Sequence, residues 1–216
     1  MSTTRHATYE PSGTGLLLVD PYNDFLAEGG KLWPRVKTVA EQVGLIANLK
    51  SILRAAREKS IQVFIVPHHR WEPGDYARWK HPNKSQLASA RSQLVAKGSW
   101  GGEWHPEFAP QEGDVIIKEH WAQSGFANTD LDQQLKQHGV EKVILIGLVA
   151  NTCIESTGRF AMELGYHVTL VKDATAAFSQ EMMHAAHELN GPTFAHAILT
   201  SSELLAALET ATPVSV

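Results

Sequence analysis

The chain has 216 residues, a length that fits one domain with a substantial core. Hydrophobic residues make up 43% of it, and Lys+Arg 19 nearly balance Asp+Glu 23, which excludes a strongly basic protein built to bind nucleic acid. No apolar run reaches the roughly 18 residues of a membrane span, and residues 1–13, an N-terminal extension, lack the apolar core of a secretory signal. We therefore expect a cytoplasmic protein with no membrane partner.

Six short apolar runs, each bounded by turn residues, predict strands that are buried on both faces. Helical patterns separate them, among them one long helix over residues 36–59. This alternation predicts a three-layer αβα fold, a doubly wound and mainly parallel six-stranded sheet, in a single domain of residues 1–216. The predicted strands are residues 16–19, 61–66, 114–118, 142–147, 167–171 and 196–199.

Several helix ends are also visible in the sequence. Gly139 and Gly165 stand where a left-handed residue would close a helix before the next strand. Thr200 precedes Glu203 by three residues, the spacing of a capping box, and predicts a C-terminal helix. The long region 67–113 is rich in Trp, His, Gly and Pro and shows one helix near residues 85–96. A long irregular insertion in a compact domain is commonly functional.

Three reactive side chains follow predicted strands. Asp20 follows "LLLV", Lys118 closes "VII", and Cys153 follows "VILIGLVANT". Ligands of open parallel sheets bind beyond the C-terminal ends of the strands, so the three groups are predicted to meet at one edge. Taken singly, each has an ordinary explanation: an Asp that makes a turn, a solvated Lys, and a Cys that fills the core.

The surroundings of Cys153, the one cysteine of the chain, favour a reactive thiol. Thr152 and Glu155 have the spacing of a capping box, which predicts Thr152 as the N-cap and Cys153 as the first helical residue. A helix N-terminus favours a thiolate and predicts a lowered pKa for Cys153. The Cys153 N–H would also be free to donate to an oxyanion.

These residues and their surroundings resemble the isochorismatase-like hydrolases, a superfamily of cysteine amidohydrolases that includes nicotinamidases and N-carbamoylsarcosine amidohydrolase. The resemblance spans residues 15–208 and is carried by "LLLVDPYNDF", "IIKEHWAQSGFANTDLDQQLKQHGV" and "VILIGLVANTCIESTGRFAMELGYHVTLVKDATAA". It implies that Asp20 is the general base, that Lys118 lies between base and nucleophile, and that Cys153 forms a thioester. It also implies a homo-oligomer, either a dimer or a tetramer.

The resemblance further implies a non-proline cis peptide bond just before the nucleophile. Carried over to this sequence, that bond joins Leu148 to Val149. The backbone N–H groups of Val149 and Cys153 would then form the oxyanion hole.

One departure from the nicotinamidases concerns their metal. The ligand positions after the second strand correspond here to His68, Arg70 and Tyr76, in "VPHHRWEPGDY". Arg does not ligate a cation and Tyr is a poor substitute for His, so we predict no metal at this place and no cofactor. Two roles remain open for His68 or His69. Such a histidine either contacts a substrate or lies at the surface or outside the residues that contact the substrate.

Further candidates for the substrate pocket are mostly aromatic, and most such residues in proteins are simply core. A Trp-rich insertion beside the site would nevertheless form an apolar wall for a flat or apolar acyl group. The residues predicted to bind substrate are Phe25, His68, Trp71, Tyr76, Trp79, Trp121, Phe126 and Asn151, with Trp100 and Trp104 as further aromatic residues of the insertion.

The sequence thus predicts a metal-independent cysteine hydrolase that cleaves an amide or carbamoyl C–N bond of a small molecule through a thioester. One alternative is the isochorismatase branch, in which Asp20 would protonate a vinyl ether and no cysteine is needed. Another is a binding or scaffold protein that keeps the fold without turnover.

Overall fold

The computed structural model describes residues 8–210, so residues 1–7 and 211–216 lie outside the described part of the chain. The remainder of the predicted N-terminal extension lies against the sheet. Tyr9 is fully buried, and its hydroxyl shares a hydrogen bond of 2.9 Å with Thr169 Oγ1.

The prediction of a doubly wound sheet is confirmed. Six strands form one sheet in the order β3-β2-β1-β4-β5-β6, and every neighbouring pair is parallel. Each predicted strand is present, with β3 shorter and β5 longer than the apolar runs indicated. The strands are β1 (Thr14–Val19), β2 (Gln62–Val66), β3 (Val115–Ile116), β4 (Lys142–Leu148), β5 (His167–Ala176) and β6 (Ala197–Leu199).

Helices cover both faces of this sheet, which gives the predicted three layers. Alternate residues of a strand point to opposite faces, so Leu16 and Leu18 pack in one core and Leu17 and Val19 in the other. The helices are α1 (Asn23–Leu26), α2 (Trp33–Val43), α3 (Leu45–Glu58), α4 (Lys84–Ser92), α5 (Leu131–Gln137), α6 (Glu155–Glu163), α7 (Gln180–His184) and α8 (Ser201–Glu209).

The single helix predicted over residues 36–59 is wrong, because α2 and α3 are separate. Gly44 joins them in the left-handed conformation, with φ of 70° and ψ of 33°, and its N–H closes the last turn of α2. Glycine adopts this conformation without the steric penalty of a Cβ atom. The apolar spacing continues on both sides of Gly44, so periodicity alone did not reveal the break.

The helix ends predicted at Gly139, Gly165 and Thr200 are confirmed. Gly139 and Gly165 have φ of 68° and 93° and follow α5 and α6. The Thr200 side chain accepts from the Glu203 N–H, while the Glu203 carboxylate accepts from the Thr200 N–H, which is the reciprocal pattern of a capping box.

The insertion 67–113 contains α4 and two short 3₁₀ turns, Trp100–Gly102 and Pro106–Phe108. Asp24, which is buried just after β1, joins the insertion to the main body. Its carboxylate accepts hydrogen bonds from the Lys31 N–H at 3.0 Å and the Val95 N–H at 2.7 Å. These bonds hold part of the insertion over the C-terminal edge of the sheet.

The strand order reverses beside β1. Val19, its last residue, pairs with Val66 of β2 on one side and with Gly147 of β4 on the other. The residues that follow these three strands therefore converge on one crevice, the usual ligand site of a doubly wound sheet. Across residues 8–210, no helix is both long and apolar enough to cross a membrane.

Candidate active site

Asp20 lies at the point where the strand order reverses and is fully buried. Its backbone N–H donates to the Val66 carbonyl at 3.0 Å, and its φ of 58° turns the chain sharply away from β1. One carboxylate oxygen, Oδ1, lies 3.0 Å from Nε2 of His120. The other, Oδ2, is buried and has no hydrogen-bond partner within residues 8–210. An unsatisfied buried carboxylate oxygen is unusual and marks a place where a proton can be received.

His120 reaches Asp20 from the segment after β3 and is also fully buried. Its backbone N–H donates to the Pro67 carbonyl at 2.9 Å, and its own carbonyl accepts from the His69 N–H at 2.8 Å. These bonds continue the parallel pairing of β2 and β3 beyond the end of β3. The imidazole packs edge-on against the ring of His68, with centroids 5.3 Å apart.

Cys153 approaches the same point from the segment after β4. The peptide bond between Leu148 and Val149 is cis, and a single π-helical turn, Ala150–Ile154, then leads into α6. The thiol is nearly buried. A carboxylate oxygen of Asp20, an imidazole nitrogen of His120 and Cys153 Sγ all lie within 4.8 Å of one another. The structure therefore brings an acid, an imidazole and a thiol together.

The prediction that Lys118 lies between Asp20 and Cys153 is wrong. The Lys118 side chain is exposed, and its backbone N–H donates to Asp130 Oδ1 at 2.8 Å. Because β3 ends at Ile116, the chain passes Lys118 before it reaches the crevice, and His120 takes the position beside Asp20. His120 is the main residue of the site that the sequence reasoning missed.

The predicted N-cap at Thr152 is also wrong. The turn begins three residues earlier, with Val149 as its N-cap, and the Thr152 hydroxyl donates to the Val149 carbonyl instead of accepting from the helix. The pKa of Cys153 is not lowered as predicted. Burial raises it well above its usual range, and the nearby Asp20 carboxylate raises it further. The resting group is therefore a thiol at neutral pH.

The thiol opens onto a cavity of about 510 Å³. Two of the predicted substrate residues, Phe25 and His68, line this cavity together with Val149 and Cys153. Burial lowers the pKa of His68, and its Nδ1 lies 2.8 Å from the His69 carbonyl, so that nitrogen carries the proton. Lining residues that the sequence reasoning missed are Lys31, Leu32, Arg35, Lys84, Ser85, Ala88, Ser89, Ser92, Leu94, Ala122, Gln123, Thr152 and Phe178.

Three of the predicted aromatic residues form a cluster beside this cavity. The Tyr76 ring packs against Trp79 and Trp121 with centroids 5.0 and 5.8 Å apart, and Trp121 stacks on His69 at 3.7 Å. Tyr76 and Trp121 border a small adjoining space that His68 also lines. Tyr76, Trp79 and Trp121 do not line the cavity that contains Cys153.

Three other predictions of substrate contact are corrected by the structure. Phe126 belongs to the core on the α5 and α6 side of the sheet, where its ring packs near Tyr166. Trp71 and Asn151 do not line the cavity that contains Cys153. The Trp71 carbonyl accepts from the Lys97 N–H, and the Asn151 Oδ1 atom is buried without a partner within the described chain.

The residues at the nicotinamidase ligand positions make other bonds. The Arg70 Nε atom donates to Glu119 at 2.6 Å, and the Tyr76 hydroxyl donates to the Trp121 carbonyl at 3.0 Å. His69 lies between Asp75 and Glu119. Burial raises the pKa of Glu119, but hydrogen bonds from His69 and Arg70 prevail and hold it at about 2.

The family of the chain follows from its similarity to known proteins. The isochorismatase domain matches residues 14–202. The chain belongs to the isochorismatase family. Two ureidoacrylate amidohydrolases named RutB match almost the whole chain. The protein from Rhizobium rhizogenes is 31% identical over 95% of this chain and 87% of its own length, and that from Agrobacterium fabrum is 30% identical over 96% and 95%.

Solved structures are similar to the chain over most of its length. A cysteine hydrolase from Pseudomonas syringae pv. phaseolicola superposes with a TM-score of 0.76 at 28% identity, covering 96% of this chain and 97% of its own. The N-carbamoylsarcosine amidase from Thermoplasma acidophilum superposes with a TM-score of 0.62 at 25% identity, covering 88% and 96%. The family and the curated relatives identify the chain as a hydrolase of C–N bonds other than peptide bonds.

Proposed function

We propose that this C–N hydrolase is a metal-independent cysteine amidohydrolase that cleaves an amide or carbamoyl group of a small molecule through a thioester. Cys153 is the nucleophile, Asp20 is the general base, and His120 holds Asp20 in place. The observation that carries the proposal is the buried group of Asp20, His120 and Cys153, whose thiol faces a cavity large enough for a small substrate. The relatives named above act on ureido and carbamoyl compounds by their names, which agrees with this class of substrate.

In the first half of the reaction, the thiol proton passes to the free Oδ2 of Asp20 as sulfur attacks the carbonyl carbon. The C–S bond forms, and the carbonyl electrons move to oxygen, where the N–H groups of Val149 and Cys153 would stabilise the charge. The intermediate collapses, the C–N bond breaks, and the proton on Asp20 goes to the departing nitrogen. A thioester on Cys153 remains.

In the second half, Asp20 takes a proton from water as the water oxygen attacks the thioester. The C–S bond then breaks, and the sulfur regains the proton. The bond between His120 Nε2 and Asp20 Oδ1 fixes the carboxylate, so Oδ2 stays directed to the proton it moves.

Two other functions use the same fold. A vinyl-ether hydrolase would use Asp20 as an acid and would gain nothing from a thiol beside it. A binding protein would have no function for the buried thiol or for Asp20 Oδ2, which has no hydrogen-bond partner within residues 8–210. The position of Cys153 in the cavity wall therefore favours the cysteine hydrolase over both.

The proposal is tested by ammonia or amine release across a panel of small amides and ureas. We expect Cys153→Ala to abolish turnover, and we expect rapid acid quenching of the native enzyme to trap an acyl group on Cys153, detected by mass spectrometry. Full activity of Cys153→Ala would instead point to the vinyl-ether branch.

The same assay tests the role of metal. Carboxylate, imidazole and thiolate are all ligands that zinc accepts, so the group at Asp20 also has the composition of a metal site. We expect turnover to persist after dialysis against a strong chelator, with less than one equivalent of transition metal in the active protein. Loss of turnover that zinc, iron or manganese restores would contradict a metal-independent reaction.

We further propose that the enzyme acts in the cytoplasm as a homo-oligomer.

A further inference from the structure

The cavity that contains Cys153 has an uneven distribution of charge. Three charged residues of fixed sign line it, Lys31, Arg35 and Lys84, and all three are cations. No Asp or Glu of residues 8–210 lines the same cavity. The whole chain has a formal net charge of −4, so a wall with cations alone does not reflect the overall composition.

None of the three cations forms an ion pair within residues 8–210. Neither Arg35 nor Lys84 makes an ion pair with a carboxylate of the described chain, although fourteen other pairs of basic and acidic groups do lie within bonding distance. The Arg35 guanidinium lies 4.0 Å from the centroid of the Phe178 ring, which also lines the cavity. This stacking holds the guanidinium at the cavity wall and leaves its N–H donors available.

The third cation has a different role. Lys31 Nζ donates to the Gln93 carbonyl at 2.6 Å, while the Lys31 N–H binds Asp24. Lys31 therefore joins the insertion to the segment between α1 and α2, and it adds positive potential without being as free to bind a ligand.

We propose that the substrate carries a carboxylate at the end remote from the scissile C–N bond, and that Arg35 and Lys84 bind this carboxylate. The inference rests on the proposed function, because it places the scissile carbonyl at Cys153. A planar guanidinium binds a carboxylate with two parallel hydrogen bonds, and Lys84 adds a second charge. The apolar side chains of Phe25, Leu32 and Leu94 line the same cavity and suit a short hydrocarbon spacer.

The negative charge of Asp20, which lies behind the thiol of Cys153 and not on the cavity wall, determines which end of the substrate faces the thiol. Asp20 is fully buried beside the thiol, so an anionic group next to the reacting carbon would be repelled. A carboxylate several bonds away would reach the cations and avoid Asp20. The substrate is therefore expected to enter with its neutral amide or ureido group first.

Alkylation of Cys153 tests this inference without knowledge of the substrate, since the chain has one cysteine. The probes are N-chloroacetyl-β-alanine, which carries a remote carboxylate, and N-isopentylchloroacetamide, in which an isopropyl group replaces it. We expect the ratio of their rates, acid over neutral, to be on the order of tenfold higher in the folded protein than in the chain unfolded in urea. The excess should fall with added salt.

The variants Arg35→Gln and Lys84→Gln should each lower this ratio several-fold and leave alkylation by the neutral probe nearly unchanged. Arg91→Gln is the matched control, because Arg91 is an exposed cation of the same helix as Lys84 and lies outside the cavity wall. A ratio equal to that of the unfolded chain, or one that Arg91→Gln lowers as much as Arg35→Gln, would overturn the carboxylate site. Failure of the proposed function would be seen separately, as turnover by Cys153→Ala.

Discussion

At the scale of single residues, the pKa of Cys153 and the role of Asp20 as general base are linked. Burial and the Asp20 carboxylate both raise the pKa of the thiol, so at pH 7 it is protonated and needs a base. The Asp20→Asn change removes the negative charge and the proton acceptor together. We expect kcat to fall by about 10² to 10⁴, the usual contribution of a positioned general base. The thiol itself, however, should ionise more easily.

These opposite effects are measured with iodoacetamide as a function of pH. In the wild-type protein the labelling rate should keep rising above pH 9, beyond the range of an ordinary thiol of pKa about 8.5. In Asp20→Asn the curve should move to lower pH, although turnover is lost. A wild-type curve with its midpoint below pH 8, or near-normal turnover in Asp20→Asn, would show that Asp20 and Cys153 are not coupled in this way.

The residues of the site differed in how readily the sequence revealed them. Asp20 and Cys153 follow long apolar strands that pair on both sides, so their positions at the crevice could be predicted. Lys118 follows a two-residue edge strand, where the exact strand end decides which side chain faces inward. The sequence gives only a weak signal for His120. Its position beside Asp20 depends on an isolated pairing of His68 with His120 beyond the end of β3. Arg35 was missed because a cation on α2 has no sequence pattern that relates it to Cys153.

At the scale of secondary structure, Gly147 near the end of β4 has little room for a side chain. Its φ is 112°, and a Cβ atom there would collide with the backbone carbonyl of Val19 in β1. We expect Gly147→Ala to lower the free energy of unfolding by more than about 1 kcal/mol, since strain and collision add. Urea unfolding measures the loss. Gly13→Ala is the control, because a Cβ atom at Gly13 meets nothing within 4 Å.

That control should change the stability by less than about 0.5 kcal/mol. Equal stability of Gly147→Ala and Gly13→Ala would mean that the β1 and β4 ends adapt more freely than their close approach indicates. The outcome matters for the site, since Asp20 follows Val19 and the cis peptide follows Gly147. The strands themselves were predictable from their apolar runs, whereas this close approach depends on a pairing between distant segments.

At the scale of the whole molecule, the sequence indicated the layers but not the packing of the insertion. The order of strands and helices follows from local patterns and from the handedness of parallel connections. The insertion 67–113 is positioned by contacts far apart in sequence, such as that of Asp24 with the Val95 N–H. The residues that line the cavity therefore could not be predicted from local sequence patterns. Most of the predicted aromatic contacts were wrong for that reason.

The buried acids of the molecule also predict how its stability depends on pH. All four tyrosines, Tyr9, Tyr22, Tyr76 and Tyr166, have pKa values raised by burial, as does Cys153. Below about pH 8 these groups are protonated in both the folded and the unfolded chain, and their contribution to stability is complete. As the pH rises through about 10, the unfolded phenols ionise while the folded ones keep their protons. Each such group then lowers the free energy of unfolding by about 1.4 kcal/mol per pH unit.

We therefore expect Tm to fall steeply between about pH 9 and 11. The tyrosinate absorbance of the folded protein should appear only as the chain unfolds. Tyr76→Phe keeps the ring and removes one ionising group, so its Tm should fall less steeply over the same range, whatever constant loss follows from the missing bond to the Trp121 carbonyl. Tyrosines that ionise near pH 10 while circular dichroism still reports the folded state would contradict the prediction, because the folded and unfolded pKa values would then be the same.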